Sequence, residues 1–235
     1  PPEGASAPAA VSEAPTDVSA FVAWLARTAT RDLEIAADTN RTSADEARTL
    51  AAAALGRYAS AVTIAQAYGI DLDAGLDQAL LINDRVNAAS RQGVQTWSID
   101  LFDAPAISAS FAPSGKDLAS SQELSSAVAT WDCTASTLPQ AQVSAGTLTD
   151  AYAVSGELLT RADTALRAGA ADTRTPRCTL GFLDAPSLAS NLLAADSAML
   201  ASNSSDVRSA GASAALADIQ QWAPRTSLPA LIGTR

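Results

Sequence analysis

Residues 43–69 read SADEARTLAAAALGRYASAVTIAQAYG, and this stretch decides the fold class. Ser43 and Glu46 have capping-box spacing, so the Ser43 hydroxyl can accept from the Glu46 amide while the Glu46 carboxylate reaches back to Ser43. Leu50, Ala51, Ala54, Leu55, Tyr58, Val62, Ala65 and Tyr68 then recur at helical spacing along one side. Gly69 can adopt positive φ freely and is a natural terminator. Alanine fills the remaining positions. It loses no side-chain entropy in a helix and lets a neighbouring backbone come close.

The same pattern extends in both directions. Thr16 or Asp17 caps an expected helix over about residues 17–38, with Val18, Phe21, Val22, Leu25, Ala29 and Leu33 in its apolar repeat. The short link to residue 43 predicts an antiparallel hairpin. A third helix opens at Asp71, carries Leu76, Leu80, Asn83 and Asn87 on its inner face, and ends at Gly93. The two asparagines on an apolar stripe mark either a bond across the core or the wall of a groove. Leu118, Leu124, Val128 and Trp131 predict a helix running into Cys133, and Leu148 to Ala168 a longer one. Two more follow, from Asp184-Ala185-Pro186 and from Ser204-Ser205, the last stopped by Pro224.

One region breaks the pattern. Gln95, Trp97, Ile99 and Leu101 alternate with polar residues, a strand-like period, and Pro105, Pro113 and Gly115 follow. The expectation is an all-α, Ala-rich antiparallel bundle of about six to eight helices, with a short irregular or extended segment near residues 94–113. Residues 1–15 read as a Pro/Ala-rich tether, 16–225 as a single helical domain and 226–235 as a tail. Leu101-Phe102-Asp103-Ala104-Pro105 echoes Phe182-Leu183-Asp184-Ala185-Pro186, read either as a duplicated half-protein or, more plainly, as two similar helix starts, Asp before a first-turn Pro.

The chain has two cysteines, Cys133 and Cys178. An even pair enclosing a helix fits one structural disulfide in an oxidising compartment. With the low-complexity start, Pro1-Pro2-Glu3-Gly4-Ala5-Ser6-Ala7-Pro8, it predicts an extracytoplasmic bacterial protein, secreted or held to the outer face of the membrane by a lipid anchor upstream of Pro1. No apolar run is long enough to span a bilayer.

The net charge of −10 opposes binding to a phosphate backbone, so nucleic acid is not an expected partner. The chain contains no histidine, which removes Ser-His-Asp and Cys-His catalysis and every histidine-containing metal site. No cofactor or metal is expected. Carboxylate chemistry remains, for example Asp100 and Asp103 beside the sugar-stacking aromatics Trp97 and Phe102, as in a glycan-acting enzyme. The leading expectation is instead a non-enzymatic cell-envelope protein, an accessory subunit that binds another envelope or membrane protein. Trp97, Phe102 and Trp222 are the candidate anchors. The alternative is a small-molecule or lipid-binding module with Asn83 and Asn87 at its groove.

Overall fold

The computed structural model of the chain describes residue 15, residues 17–70, 116–138, 151–176, 178, 185–224 and 226–228, and residue 232. These contain seven helices and no strand: α1 (Val18–Ala37), α2 (Ala44–Tyr68), α3 (Lys116–Ser120), α4 (Gln122–Thr137), α5 (Ala151–Arg167), α6 (Ala185–Met199) and α7 (Ser205–Trp222). The bundle expected from the sequence is the observed fold. The helix expected over 71–93, the strand-like run near 94–101, the loop after it and the N-terminal tether lie outside the described residues.

Helix α1 starts where Asp17 Oδ1 accepts from the Ala20 amide at 2.7 Å. Its inner face buries Val22, Leu25, Ala29, Leu33 and Ala36, a three-and-four spacing. The turn to α2 is held by Thr42 Oγ1, which donates to the Ile35 and Ala36 carbonyls at 3.2 Å. The capping box forms at Ser43 and Glu46, and Gly69 closes α2 at φ 63°. Ala47, Ala51, Ala54, Ala61 and Ala65 are buried in α2, which is why α1 lies closely against it. Arg57 on α2 ties the pair with an ion pair to Asp32. Tyr68, placed on the apolar side by its spacing, is instead 68% exposed, because the stripe has run past the end of the partner helix.

The expected helix through Leu118 and Trp131 is two helices. Ser121 interrupts it and caps α4, accepting from the Leu124 amide at 3.2 Å. A polar cap is locally better than continuing the helix when it satisfies an otherwise orphaned amide. Cys133 lies inside α4, and its disulfide to Cys178 spans 45 residues with Cα atoms 5.2 Å apart. The chain leaving α5 turns at Gly169, φ 106°, and runs back beside α4. There the Thr173 hydroxyl donates to the Ser125 carbonyl at 3.0 Å.

Helix α7 is buried on nearly every side, including Val207, Arg208, Gly211, Ala214, Ala215, Asp218, Ile219 and Trp222. A helix without a solvent face belongs at the centre. Together α6 and α7 form a wall with a core on each side. Leu188, Leu192, Ala214 and Trp222 join Trp131 and Leu158 of α4 and α5, whereas Leu193, Ala215 and Ile219 join Leu33, Leu55 and Tyr58 of α1 and α2. Adjacent residues thus serve different cores. The end of the chain returns to the second core, where Ile232 is buried and its amide donates to the Ala52 carbonyl at 3.4 Å.

Candidate functional site

Three features of the described residues bear on function: an exposed aromatic face, a shallow groove and a buried ionic cluster.

The face lies on the first half of α1. Val18, Phe21 and Trp24 follow three residues apart and are each about two-fifths exposed, at 38%, 39% and 40%. The Phe21 and Trp24 rings stack, with centroids 6.1 Å apart and planes 15° off parallel. Further along α1, Arg27 and Arg31 are exposed too. The sequence repeat alone places Val18 and Phe21 on the inner side. The bundle buries a narrower stripe: among the described helices α1 packs chiefly on α2 and then on α7.

The groove lies between α2 and the segment after α7. It encloses about 650 Å³ and is lined by residues including Gly56, Ala59, Ser60, Ile64, Ala223 and Leu228. Its small floor residues leave the space. The hydroxyls of Ser60 and Thr63 donate back to the carbonyls of Gly56 and Ala59, both at 2.9 Å, so toward a ligand they can act only as acceptors. No charged side chain among the described residues lines it.

The ionic cluster joins four helices. Arg161 of α5 donates in bidentate fashion to Asp218 of α7, Nη1 to Oδ2 at 3.1 Å and Nη2 to Oδ1 at 2.9 Å. Trp131 of α4 donates its indole N–H to Asp196 Oδ1 of α6 at 2.8 Å. The Arg161 guanidinium also sits over the Trp131 ring, 5.2 Å from its centroid, a cation–π arrangement. All four side chains are buried. Burial opposes the charge on Arg161, but Asp218 and Asp196 more than offset it and its pKa is raised. The four side chains lie inside the bundle and tie its helices together, a joint of the core.

A second buried guanidinium, Arg208 of α7, reaches the end of α1. It donates from Nη1 to the Ala36 and Thr42 carbonyls and to Thr42 Oγ1, each at 3.0 Å, and from Nε to the Ser202 carbonyl. It satisfies carbonyls that a helix C-terminus leaves open, where a cation is also favoured by the dipole.

Of the residues expected at a site, Cys133 and Cys178 are bonded as anticipated. Trp222 is fully buried in the core shared with Trp131. This corrects its assignment as an exposed anchor: α7 is central, so its last turn has no outer face. Trp97, Phe102, Asn83, Asn87, Asp100 and Asp103 lie outside the described residues. Sequence reasoning misses Phe21 and Trp24 as a surface pair, and Arg161, Asp196 and Asp218 as a cluster. For the charged trio the sequence does hold a signal. Arg161 falls in the apolar register of Leu158 and Ala165, Asp196 in that of Leu192 and Met199, and Asp218 in that of Ala215 and Trp222.

These features define a class: a disulfide-stapled, all-α bundle held by a buried ionic joint. Among the described residues no group of three or more acidic or cysteine side chains is placed to hold a metal ion, and no helix is long and apolar enough to cross a membrane. Comparison with protein-family models, with curated proteins and with solved structures gave no match to this chain.

Proposed function

We propose that the protein is a non-enzymatic, extracytoplasmic helical module that binds another envelope or membrane protein through the outer face of α1, as an accessory subunit of that assembly. The stacked and exposed Phe21–Trp24 pair carries this reading. In an aromatic-poor chain (5% Phe, Trp and Tyr), two large rings left about two-fifths exposed forgo that fraction of a burial worth about 1.5–3 kcal/mol when complete for a side chain such as Phe. A partner that covers them recovers that energy, and aromatic anchors of this kind dominate binding at protein interfaces. The disulfide supports an oxidising compartment.

The test places a photo-crosslinking amino acid at Trp24 and, as a control, at the exposed Thr160 of α5 in the producing cells. A discrete protein adduct from position 24 that is absent from position 160 and lost on Phe21→Ser is the expected result. Equal labelling from both positions, or none, would sink the proposal.

A second reading, a small-molecule module, is favoured by the 650 Å³ groove beside α2. Its neutral lining fits an uncharged ligand. Purified full-length protein would then carry a ligand detectable by native mass spectrometry, displaced by Gly56→Leu.

A further inference from the structure

Asp196 Oδ1 accepts from the Trp131 indole, but no protein donor satisfies the buried Asp196 Oδ2, which stands 3.8 Å from Arg161 Nη1. Arg161 already has a full counter-charge, since Asp218 binds both its terminal nitrogens. Two carboxylates around one guanidinium would leave a net negative charge in the core, which is costly without compensation. A carboxyl proton removes both the charge and the unsatisfied oxygen, because a neutral acid gains an O–H donor.

We propose that Asp196 and Asp218 form a buried proton-binding site, in which the Asp196 carboxyl keeps its proton at neutral pH and donates it to Asp218. The chain thereby takes up a proton when it folds.

The surroundings agree. Burial raises the Asp196 pKa well above its ordinary 3.8, the Asp218 charge and hydrogen bond raise it further, and Arg161 and Trp131 oppose these effects without cancelling them. The groups facing Asp196 are Arg161 from α5, with Glu157 behind it, Asp218 from α7 and the Trp131 indole from α4. Helix α2 also packs on α6, but Asp45, Glu46, Arg48 and Tyr68 are exposed, Arg57 is paired with Asp32, and the Tyr58 hydroxyl accepts from Gln220.

The linkage has a definite sign. The folded state holds a proton that the unfolded state releases above the ordinary value of 3.8. This contribution to stability is therefore complete below that pH and declines as pH rises toward the folded pKa. The proton is thus a ligand of the four-helix joint, and alkaline conditions withdraw it.

Infrared spectroscopy of the full chain near neutral pH tests the site. A protonated-carboxyl C=O band is expected above the amide I region. It should shift on 13C-aspartate labelling and disappear in Asp196→Asn. That variant imitates the neutral acid, with Oδ1 accepting from Trp131 and Nδ2 donating to Asp218. It should fold, and its denaturation midpoint should not decline with rising pH as the parent's does. Unfolding of the parent near neutral pH should release a proton, read by an indicator dye. Absence of the band, its persistence in Asp196→Asn, or unfolding without proton release would each overturn the proposal. Should Asp196→Asn fail to fold, the labelled band and the proton release of the parent still decide.

Discussion

Gly211 of α7 faces the main chain of Asp196 in α6 so closely that a Cβ at Gly211 would stand 2.6 Å from the Asp196 carbonyl oxygen. The same Cβ would meet Met199 Cβ at 2.6 Å. Both obstacles are rigid, so neither can swing aside. Only glycine allows the two central helices to cross this tightly, and that crossing sets where Asp196 lies relative to Asp218.

Gly211→Ala is accordingly destabilising, although alanine is the better helix former. Overpacking of this kind costs about 1–3 kcal/mol, against a gain of about 1 kcal/mol in helix propensity. Chemical denaturation should show a lower midpoint, and a stabilised Gly211→Ala would disprove the close crossing. Gly156 of α5 is the matched control, because a Cβ added there would meet nothing within 4 Å: Gly156→Ala should stabilise.

Removing the cation at the joint is more damaging. Arg161→Met leaves Asp218 buried without its partner. Breaking a buried pair from one side costs about 3–5 kcal/mol. The triple change Arg161→Met, Asp196→Leu, Asp218→Leu removes the stranded Asp218 charge together with the acid bound to it and should recover much of the loss. Denaturant melts of the two variants would settle it; equal losses would contradict the view that the stranded Asp218 carboxylate causes the damage.

The disulfide acts on the unfolded chain. Closing a loop across the 45-residue separation stabilises by about 4 kcal/mol in the chain-entropy account. Replacing Cys133 and Cys178 by serine, or reducing them, should lower the thermal midpoint while leaving the helical circular dichroism at low temperature intact. An unchanged midpoint under reductant would refute the staple. Intact-mass measurement of the untreated protein should be two hydrogens lighter than the thiol form.

Glu46 supplies a second pH effect, opposite in sign to that of Asp196. The Ser43 amide and hydroxyl hold its carboxyl below the ordinary 4.5. Its contribution is present above 4.5 and fades as pH falls through the folded value. Glu46→Gln should lower the midpoint near neutral pH, with the difference closing under acid. A constant difference across that range would show that the carboxylate plays no part in the cap.

Much of the architecture is legible in the sequence because alanine-rich periodic runs and their caps are local properties. Asp17, Ser43 and Gly69 mark helix ends through bonds and dihedrals that involve only near neighbours. What depends on assembly is not local. Tyr152 shares a side of α5 with Leu159, seven residues on, and both are exposed, because apolar residues at helical spacing define a stripe without defining whether a partner covers it. Trp222 reads as an end residue yet is buried, because α7 runs through the centre. Arg161, Asp196 and Asp218 each stand in the apolar register of one helix, which marks them as inward-facing without saying what they meet. Only when α5, α6 and α7 are brought together do they answer one another.

The wall formed by α6 and α7 has a consequence for the order of events at the ribosome. Helices α1 and α2 emerge first and α4 and α5 next, each group with one apolar side complete and the other waiting. The pair that covers both sides is synthesised after them. A nascent chain that has reached Arg167 therefore carries two half-built cores and lacks the hairpin that unites them. Since a vacant apolar side attracts wrong partners, the interval before α7 emerges is when this protein most needs protection from its neighbours.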